Sequence, residues 1–261
     1  MSHDAHRLVR DQFGRTAARF AASGAAGRLS PVESLVRLVE PAPEDVVLDV
    51  ACGPGRLLGH FAEHAQLAVG VDLTPEMLTL ARARPAGPGR GPVRLVLGEA
   101  ERLPFQDATF TVVTTTLAIH HYGDPARVLE QMVRVCQPGG KIAVSDTVGS
   151  PDGSKRALQN AIERLRDPSH VEVWSVDGLE GLLTSLGLVI TGRAGGSNAR
   201  EFMEWCRLAD TPAAVIPRVR EMLVATQPGD RAGMRPRLVG DEVQFEHDWA
   251  TIVCRRPPGA P

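Results

Sequence analysis

A histidine pair, His120-His121, and an aspartate further along the chain, Asp146, are the residue types that make a general base and its orienting partner. The pair follows a Val- and Thr-rich run, Phe110 to Thr115, and Asp146 follows a second apolar run, Lys141 to Ser145. Both therefore lie just past short strands. Adjacent residues point apart, so at most one of the two rings faces a common site. With nothing beside them, the same rings are ordinary loop residues, packed or facing solvent. A second stretch suits binding rather than proton transfer. In LDVACGPGRL, Leu48 to Leu57, an apolar run (Val46 to Val50) carries Asp49 and stops at Gly53-Pro54-Gly55. Beyond Arg56 the apolar spacing turns helical, through Leu57, Leu58 and Phe61. A strand that ends in glycines and opens a helix collects bare backbone N–H groups at one point, which suits the polar end of a cofactor. Glycines also serve many such turns for conformation alone.

The elements that must position these residues follow in order. Asp4 to Ala21 alternates Arg with apolar residues at helical spacing (Leu8, Val9, Phe13, Ala17, Phe20), and reads as a packed surface helix or as a flap. Ser30-Pro31-Val32-Glu33 is a capped helix start, and that helix ends before Pro41. Strands are expected at 46–51, 67–72, 93–97, 110–115 and 141–145, alternating with helices at 56–65, from the Thr74-Pro75 start to Arg84, and from Asp124-Pro125 to Cys136. A Pro/Gly-rich turn, Pro85 to Pro92, precedes the third strand. Such alternation implies right-handed crossovers and a parallel sheet with helices on both faces, its ligand at the carboxyl ends of the strands. Asp49, Asp72, Glu99 and Asp146 all fall at that edge. Beyond Ser150 helices are expected at 157–166, 177–186, 198–208 and 213–225. A sixth strand is expected at 188–191, a loop at 227–240 and an alternating, antiparallel-type strand at 243–253.

Composition narrows the class. A chain of 261 residues with 43% apolar and 23% charged residues fits one soluble globular domain. The balance of 29 basic against 31 acidic residues offers no global field for nucleic acid or an anionic membrane. Nearly all the positive charge is Arg, lysine occurring only at Lys141 and Lys155, which with the Gly, Pro and Ala content reads as a GC-rich bacterial genome. Cys52, Cys136, Cys206 and Cys254 form no CxxC pair, so neither a zinc site nor a disulfide scaffold is expected. The first residues are polar and mixed in charge, unlike a signal peptide, and no run is long enough to span a bilayer; the expected location is cytoplasmic.

The second acid stands 23 residues after the first (72 − 49 = 23), well placed to accept hydrogen bonds from both hydroxyls of an adenosine ribose. The turn Ala51-Cys52-Gly53-Pro54-Gly55 is a shortened GxGxG form, not the GxGxxG of a nicotinamide dinucleotide site. Asp49, directly before it, would sit poorly beside a pyrophosphate and is better matched to a cationic ammonium. S-adenosylmethionine has that ammonium, with a sulfonium, a ribose and an adenine. The series LDVACGPGRL, GVDLTPEML, GEAERLPFQDATF, LAIHHYGDP, VLEQMVRVCQPGGKIAVSD and RDPSHV resembles the motifs of class I S-adenosylmethionine-dependent methyltransferases, and within them the UbiE-like small-molecule branch. The resemblance runs from QFGRTAARF to the final strand.

That resemblance implies an α/β fold: a doubly wound, mostly parallel seven-stranded sheet with an antiparallel last strand and helical lid elements. One domain over 1–261 is implied, with a lid at 1–44, a cofactor-binding core at 45–150 and an acceptor-pocket segment with closing strands at 151–261. Position by position, Asp49 with Ala51, Gly53 and Gly55 would hold the methionine moiety and Asp72 the ribose. Leu73 and Met77 would flank the adenine, Glu99 and Ala100 contact its edge, and the backbone at Thr116-Leu117 meet the amino group. Ala51 stands where the first Gly is usual, Glu99 where Asp is, Phe20 where relatives often carry Tyr at the carboxylate end, and Thr116 where some carry Arg.

Methyl transfer from a sulfonium is an in-line displacement, accelerated largely by positioning in a water-poor pocket. A hydroxyl acceptor also needs a base, for which His120, His121 and Asp146 are the candidates; similar sugar and phenol O-methyltransferases use a His of this pair. His170 is either a pocket residue or a turn residue, and Phe13, Trp174 and Trp205 are either pocket walls or core. The expected activity is O-methylation of a small, largely apolar acceptor without a metal, by a monomer or homodimer acting on neither nucleic acid nor membrane. The alternatives are C-methylation of a quinone or polyketide, and a protein that binds S-adenosylmethionine as a regulator or cyclase without methyl transfer.

Overall fold

The computed structural model describes residues 3–22, 31–84 and 91–259. Strands β1 (Val46–Val50), β2 (Leu67–Asp72), β3 (Val93–Leu97), β4 (Phe110–Thr116) and β5 (Cys136–Val148) run parallel to one another. With β6 (Val189–Glu201) and β8 (Glu242–Arg255) they form one sheet in the order β3-β2-β1-β4-β5-β8-β6. The last strand, β8, runs antiparallel to both β5 and β6. A short eighth strand, β7 (Arg237–Val239), pairs with the start of β8. The chain leaves β1 toward β2 on one side, and β4 flanks β1 on the other. The carboxyl ends of β1 and β4 therefore open a crevice at the switch point.

Alternation along the strands builds the core. Val47, Ala68, Val112, Ala143 and Val253 face helices α2 (Pro31–Val39) and α3 (Arg56–Phe61). Their neighbours Leu48, Val113, Ile142, Val144 and Ile252 face the opposite way, against α5 (Pro125–Val135) and α7 (Val176–Ser185). Each fully buried Leu, Ile or Val contributes about 1.5–3 kcal/mol relative to exposure, so a one-residue slip of any strand would expose its apolar set. Helix starts follow the capping rules. Asp124 Oδ1 accepts from Arg127 N at 3.0 Å ahead of α5, and Ser175 Oγ accepts from Gly178 N at 3.2 Å ahead of α7. At α4 (Pro75–Arg82) Thr74 makes no side-chain cap, and its N–H donates instead to Asp72 Oδ1 at 2.8 Å.

A third apolar cluster stands above the carboxyl end of the sheet. Ile162 of α6 (Gly153–Arg166), Phe202, Trp205 and Cys206 of α8 (Phe202–Leu208), Val219 and Leu223 of α9 (Ile216–Val224) and Phe245 of β8 pack together there. Helix α1 (His3–Ala22) bridges this unit and the sheet. Gln12 Nε2 donates to Ala209 O, Arg19 pairs with Asp210, and Arg56 of α3 donates to Phe20 O.

Several expectations need correction. The helix expected at 198–208 begins only at Phe202, because residues 198–201 continue β6 in register with β8 as far as Glu201 opposite Gln244. The glycines that hid this strand have a packing reason. A Cβ on Gly196 would come within 2.9 Å of the Trp249 ring. Helix α6 starts at Gly153 and not Ala157, since Asp152 Oδ1 accepts from Ser154 N at 2.8 Å and Lys155 N at 3.3 Å. Part of the expected loop at 227–240 is strand β7. Strand β5 is longer than expected, so Asp146 lies within it. Within the described part of 1–44, Leu35 and Val39 of α2 are wholly buried in the core, while Val32 of α2 and the underside of α1 line the crevice at the strand ends. The Ser30 cap and most of the Pro85–Pro92 turn fall outside the described residues.

Candidate functional site

The crevice is a cavity formed by the turn after β1, the end of β2, the loops after β3 and β4, and the underside of α1. Of the residues expected to hold a cofactor, Phe20, Asp49, Ala51, Gly53, Asp72, Leu73, Met77, Glu99, Ala100, Thr116 and Leu117 line it. Gly55 does not. It sits at φ +74°, where an added Cβ would lie 2.9 Å from Ala81 Cβ, so it serves the packing of the turn on α4. Ala51 and Leu117 hold left-handed backbone, φ 56° and 54°, although neither is Gly. Such strain persists where the surrounding structure enforces it, and both residues face the cavity.

Asp49 is buried, and among the described residues its side chain has one hydrogen-bond partner, Thr114 Oγ1 at 3.1 Å. Burial pushes its carboxyl up to about 8; the Thr114 bond opposes this and the nearby Asp72 adds to it. Asp72 takes two backbone donors, Gly53 N and Thr74 N, both at 2.8 Å, which fix its carboxylate at the end of β2. Burial raises its pKa too, against the pull of those bonds. His6, Val9, Phe13, Arg56, Glu101 and Tyr122 also line the cavity and were not expected as cofactor residues. His6 and Glu101, 3.6 Å apart, face each other across the sequence from α1 to the loop after β3.

A second cavity adjoins the first, and Phe13, Phe20, Leu117 and His121 line both. His120 lines only the second. Its Nδ1 lies 2.5 Å from Asp146 Oδ1, and its backbone N–H donates to Asp146 Oδ2 at 3.3 Å. Asp146 lines neither cavity and is buried behind the ring. Burial lowers the His120 pKa, but the charge and hydrogen bond of Asp146, with Glu163 and Asp167, outweigh it and raise it overall. His121 behaves oppositely. Burial and the neighbouring His120 bring it down to about 4, and its Nδ1 lies 3.0 Å from Ser169 O. The ring centres of the pair are 4.2 Å apart.

The far wall of the second cavity is polar. Glu163, Arg166 and Asp167 come from α6 and its end, Arg200 from β6 and His247 from β8. Glu163 Oε2 lies 3.2 Å from Arg166 Nη2, and its Oε1 lies 2.9 Å from His247 Nε2. Arg166 lies 4.5 Å over the Trp205 ring. The Glu163–Arg166 spacing of one helical turn was visible in the sequence, whereas nothing local marked Arg200 or His247. Trp205 is a cavity wall, while Trp174 packs against the core. Among the described residues no group of His, Cys, Asp or Glu could hold a metal ion, and no helix is long and apolar enough to cross a membrane.

Known proteins resemble this chain in sequence and fold. Residues 48–144 match the family described as Methyltransferase domain. The uncharacterized methyltransferase YcgJ of Bacillus subtilis is 29% identical over 179 residues, 69% of this chain and 71% of YcgJ. The crystal structure of YcgJ superposes with a TM-score of 0.81 at 25% identity, covering 88% of this chain and 99% of that one. A demethylmenaquinone methyltransferase of Deinococcus radiodurans is 32% identical over 151 residues, 57% of this chain and 56% of that protein. The match thus spans about half the length of this last relative. A parallel sheet closed by an antiparallel strand, a crevice at its switch point lined by two strand-end acids, and relatives of this kind lead to one assignment: residues 48–144 form the methyltransferase domain of a class I S-adenosylmethionine-dependent methyltransferase fold.

Proposed function

We propose that the crevice holds S-adenosylmethionine and that the second cavity holds a small-molecule acceptor, methylated at a hydroxyl oxygen with His120 as general base. The crevice fits the cofactor. Asp49 is a buried carboxyl with no cationic partner among the described residues, suited to an ammonium, and the left-handed turn at Ala51 and Gly53 brings backbone close to the cavity. Asp72 keeps lone pairs for ribose hydroxyls beyond its two backbone donors. Leu73 and Met77 give apolar walls for an adenine, Glu99 and Ala100 its edge, and Thr116 and Leu117 the floor near the amino group. S-adenosylmethionine, when bound, supplies a methyl group on a sulfonium. Helix α1 acts as the lid, placing Phe13 and Phe20 over both cavities to exclude water.

The observation that carries the proposal is His120 on the wall of the cavity beside the crevice, its Nδ1 2.5 Å from the buried Asp146 behind it. Asp146 takes the Nδ1–H, so Nε2 keeps the lone pair that removes a hydroxyl proton, and the carboxylate stabilises the imidazolium that forms. The raised pKa makes His120 a better base than an ordinary imidazole. The wall of this cavity is more polar than a largely apolar acceptor calls for, so the acceptor carries polar groups besides the one methylated. Replacing His120 by Ala should lower kcat by about 10²–10⁴-fold while leaving S-adenosylmethionine affinity intact. A near-normal kcat in the double replacement of His120 and His121 would mean catalysis by positioning alone.

The relative named demethylmenaquinone methyltransferase favours a second reading, C-methylation of a hydroxylated ring. The same base would then remove a phenolic proton and raise the electron density at the neighbouring carbon. Transfer from isotope-labelled S-adenosylmethionine, followed by NMR location of the label, separates carbon from oxygen.

A further inference from the structure

His170 lines the second cavity and has no part in the proton transfer just described. It is 4% exposed, and its Nε2 lies 2.8 Å from Asn160 Oδ1. The same Oδ1 accepts from Val173 N at 2.8 Å, which identifies it as the amide oxygen. An amide oxygen only accepts, so Nε2 of His170 carries the proton and Nδ1 carries the lone pair. Burial holds its pKa down to about 3; His120, His121 and Arg166 add to this and Glu163 opposes it. His170 is therefore neutral in one tautomer. Among the described residues no group bonds Nδ1. The hold of Asn160 on the turn is already complete through Nε2 and Val173 N, so packing alone gives Nδ1 no task.

We propose that His170 is a specificity-determining residue that accepts a hydrogen bond from a second hydroxyl of the methyl acceptor. The acceptor class is then molecules with hydroxyls on adjacent carbons. The inference rests on the reading of the second cavity as the acceptor site with His120 as its base. The ring centres of His120 and His170 are 5.8 Å apart and the planes are inclined by 34°. Asp146 occupies Nδ1 of His120 and Asn160 occupies Nε2 of His170, so each ring has one nitrogen left to accept. Oxygens on adjacent carbons lie about one hydrogen-bond length apart, roughly 2.7–3 Å, and can meet both nitrogens together. An ammonium in place of the second hydroxyl is disfavoured, because the guanidiniums of Arg166 and Arg200 line the same cavity. The carboxylates there are already engaged: Glu163 by Arg166 and His247, Asp167 by Arg166 and Ser169.

The test uses the full chain, saturated with S-adenosylhomocysteine and labelled with ¹⁵N-histidine. Catechol, methyl α-glucopyranoside and phenol are the probes, and His170 resonances are assigned from a His170→Phe variant. In the free protein, Nδ1 of His170 should be unprotonated at neutral pH. Catechol or the glucoside, according to whether the natural diol is aromatic or a sugar, should shift His170 Nδ1 and His120 Nε2 together, and phenol only His120. With S-adenosylmethionine present, the ratio of kcat/KM for the responding diol to that for phenol should fall about tenfold or more in His170→Phe. A protonated Nδ1, or a diol that moves His120 and leaves His170 unmoved, overturns the role given to His170 and leaves the acceptor site standing. If no probe moves either ring, the adjacent-hydroxyl class falls, and retained binding of S-adenosylhomocysteine shows that the cofactor reading survives. Should His170→Phe fail to fold, the tautomer and the shifts in the unaltered protein decide.

Discussion

Replacing Asp146 by Asn isolates the charge behind the proposed base. Asp146 Oδ1 accepts from Thr147 N at 2.6 Å as well as facing His120 Nδ1, while Oδ2 accepts only the longer 3.3 Å bond from His120 N. An asparagine should therefore keep its oxygen in the Oδ1 place and turn its NH₂ to the weaker contact. The tautomer of His120 survives and the negative charge is lost. A hydrogen bond to a charged group is worth about 1.5–3 kcal/mol, and one pKa unit is about 1.36 kcal/mol, so the His120 pKa should fall by about 1–2 units. The base works when neutral. In the unaltered enzyme kcat/KM should thus rise with pH and level off above an apparent pKa higher than that of an ordinary imidazole. In Asp146→Asn the rising limb should move about 1–2 units to lower pH, and the plateau should drop by about 10- to 150-fold because the imidazolium is less stabilised. The assay is S-adenosylhomocysteine release at saturating S-adenosylmethionine across pH. A plateau loss with an unmoved limb would show that Asp146 only holds the backbone of residues 120 and 147.

Three further outcomes are expected. Asp49, pushed up to about 8, must ionise to pair with the ammonium of S-adenosylmethionine, so affinity should rise with pH toward that value and binding at neutral pH should release close to one proton. Calorimetry in buffers of different ionisation enthalpy reads the proton, and no buffer dependence would refute the pairing. Gly55→Ala should destabilise by about 2–4 kcal/mol in urea unfolding, from the left-handed backbone and the 2.9 Å approach to Ala81; Gly53→Ala, with open space around its Cβ position, should cost only about 1–2 kcal/mol. Amide exchange along α1 should slow when S-adenosylhomocysteine is added, and exchange indifferent to the ligand would make α1 fixed packing instead of a lid.

The parallel core was legible because its signals are local. Each strand is a short apolar run, each turn has its Gly, Pro or Asp, and Asp49 and Asp72 stand where such strands end. What stayed hidden depends on partners distant in sequence. Strand β6 carries Gly192, Gly195 and Gly196 in a stretch with no apolar alternation, and it is held by its ladder to β8 and by the room that Gly195 and Gly196 leave for Trp249. Gly55 reads as a ligand-binding glycine, yet it lies outside the crevice lining, and an added Cβ there would meet Ala81 at 2.9 Å. The second cavity draws on α1, the loop after β4, α6, β6, α8 and β8 at once, and no period in the chain announces such a meeting. The motif RDPSH did contain three of its residues, Arg166, Asp167 and His170.

The two adjacent histidines cannot do the same work, and their surroundings show why. Rings 4.2 Å apart repel as cations, so only one of them can hold a proton readily. The chain gives that capacity to His120, backed by the buried Asp146, and withholds it from His121, which stays neutral well below neutral pH. His121 lines both cavities, packs edge-on to Phe13 of α1 at 4.9 Å, and has its Nδ1 engaged by the Ser169 carbonyl. It is thus an uncharged partition between a compartment that suits a cation and one that contains a base. A charged ring in its place would repel a sulfonium on one side and suppress proton uptake by His120 on the other. On the proposed reading, proton transfer at His120 and cofactor binding at Asp49 can then be tuned separately, each by its own buried carboxylate, with a neutral ring between them.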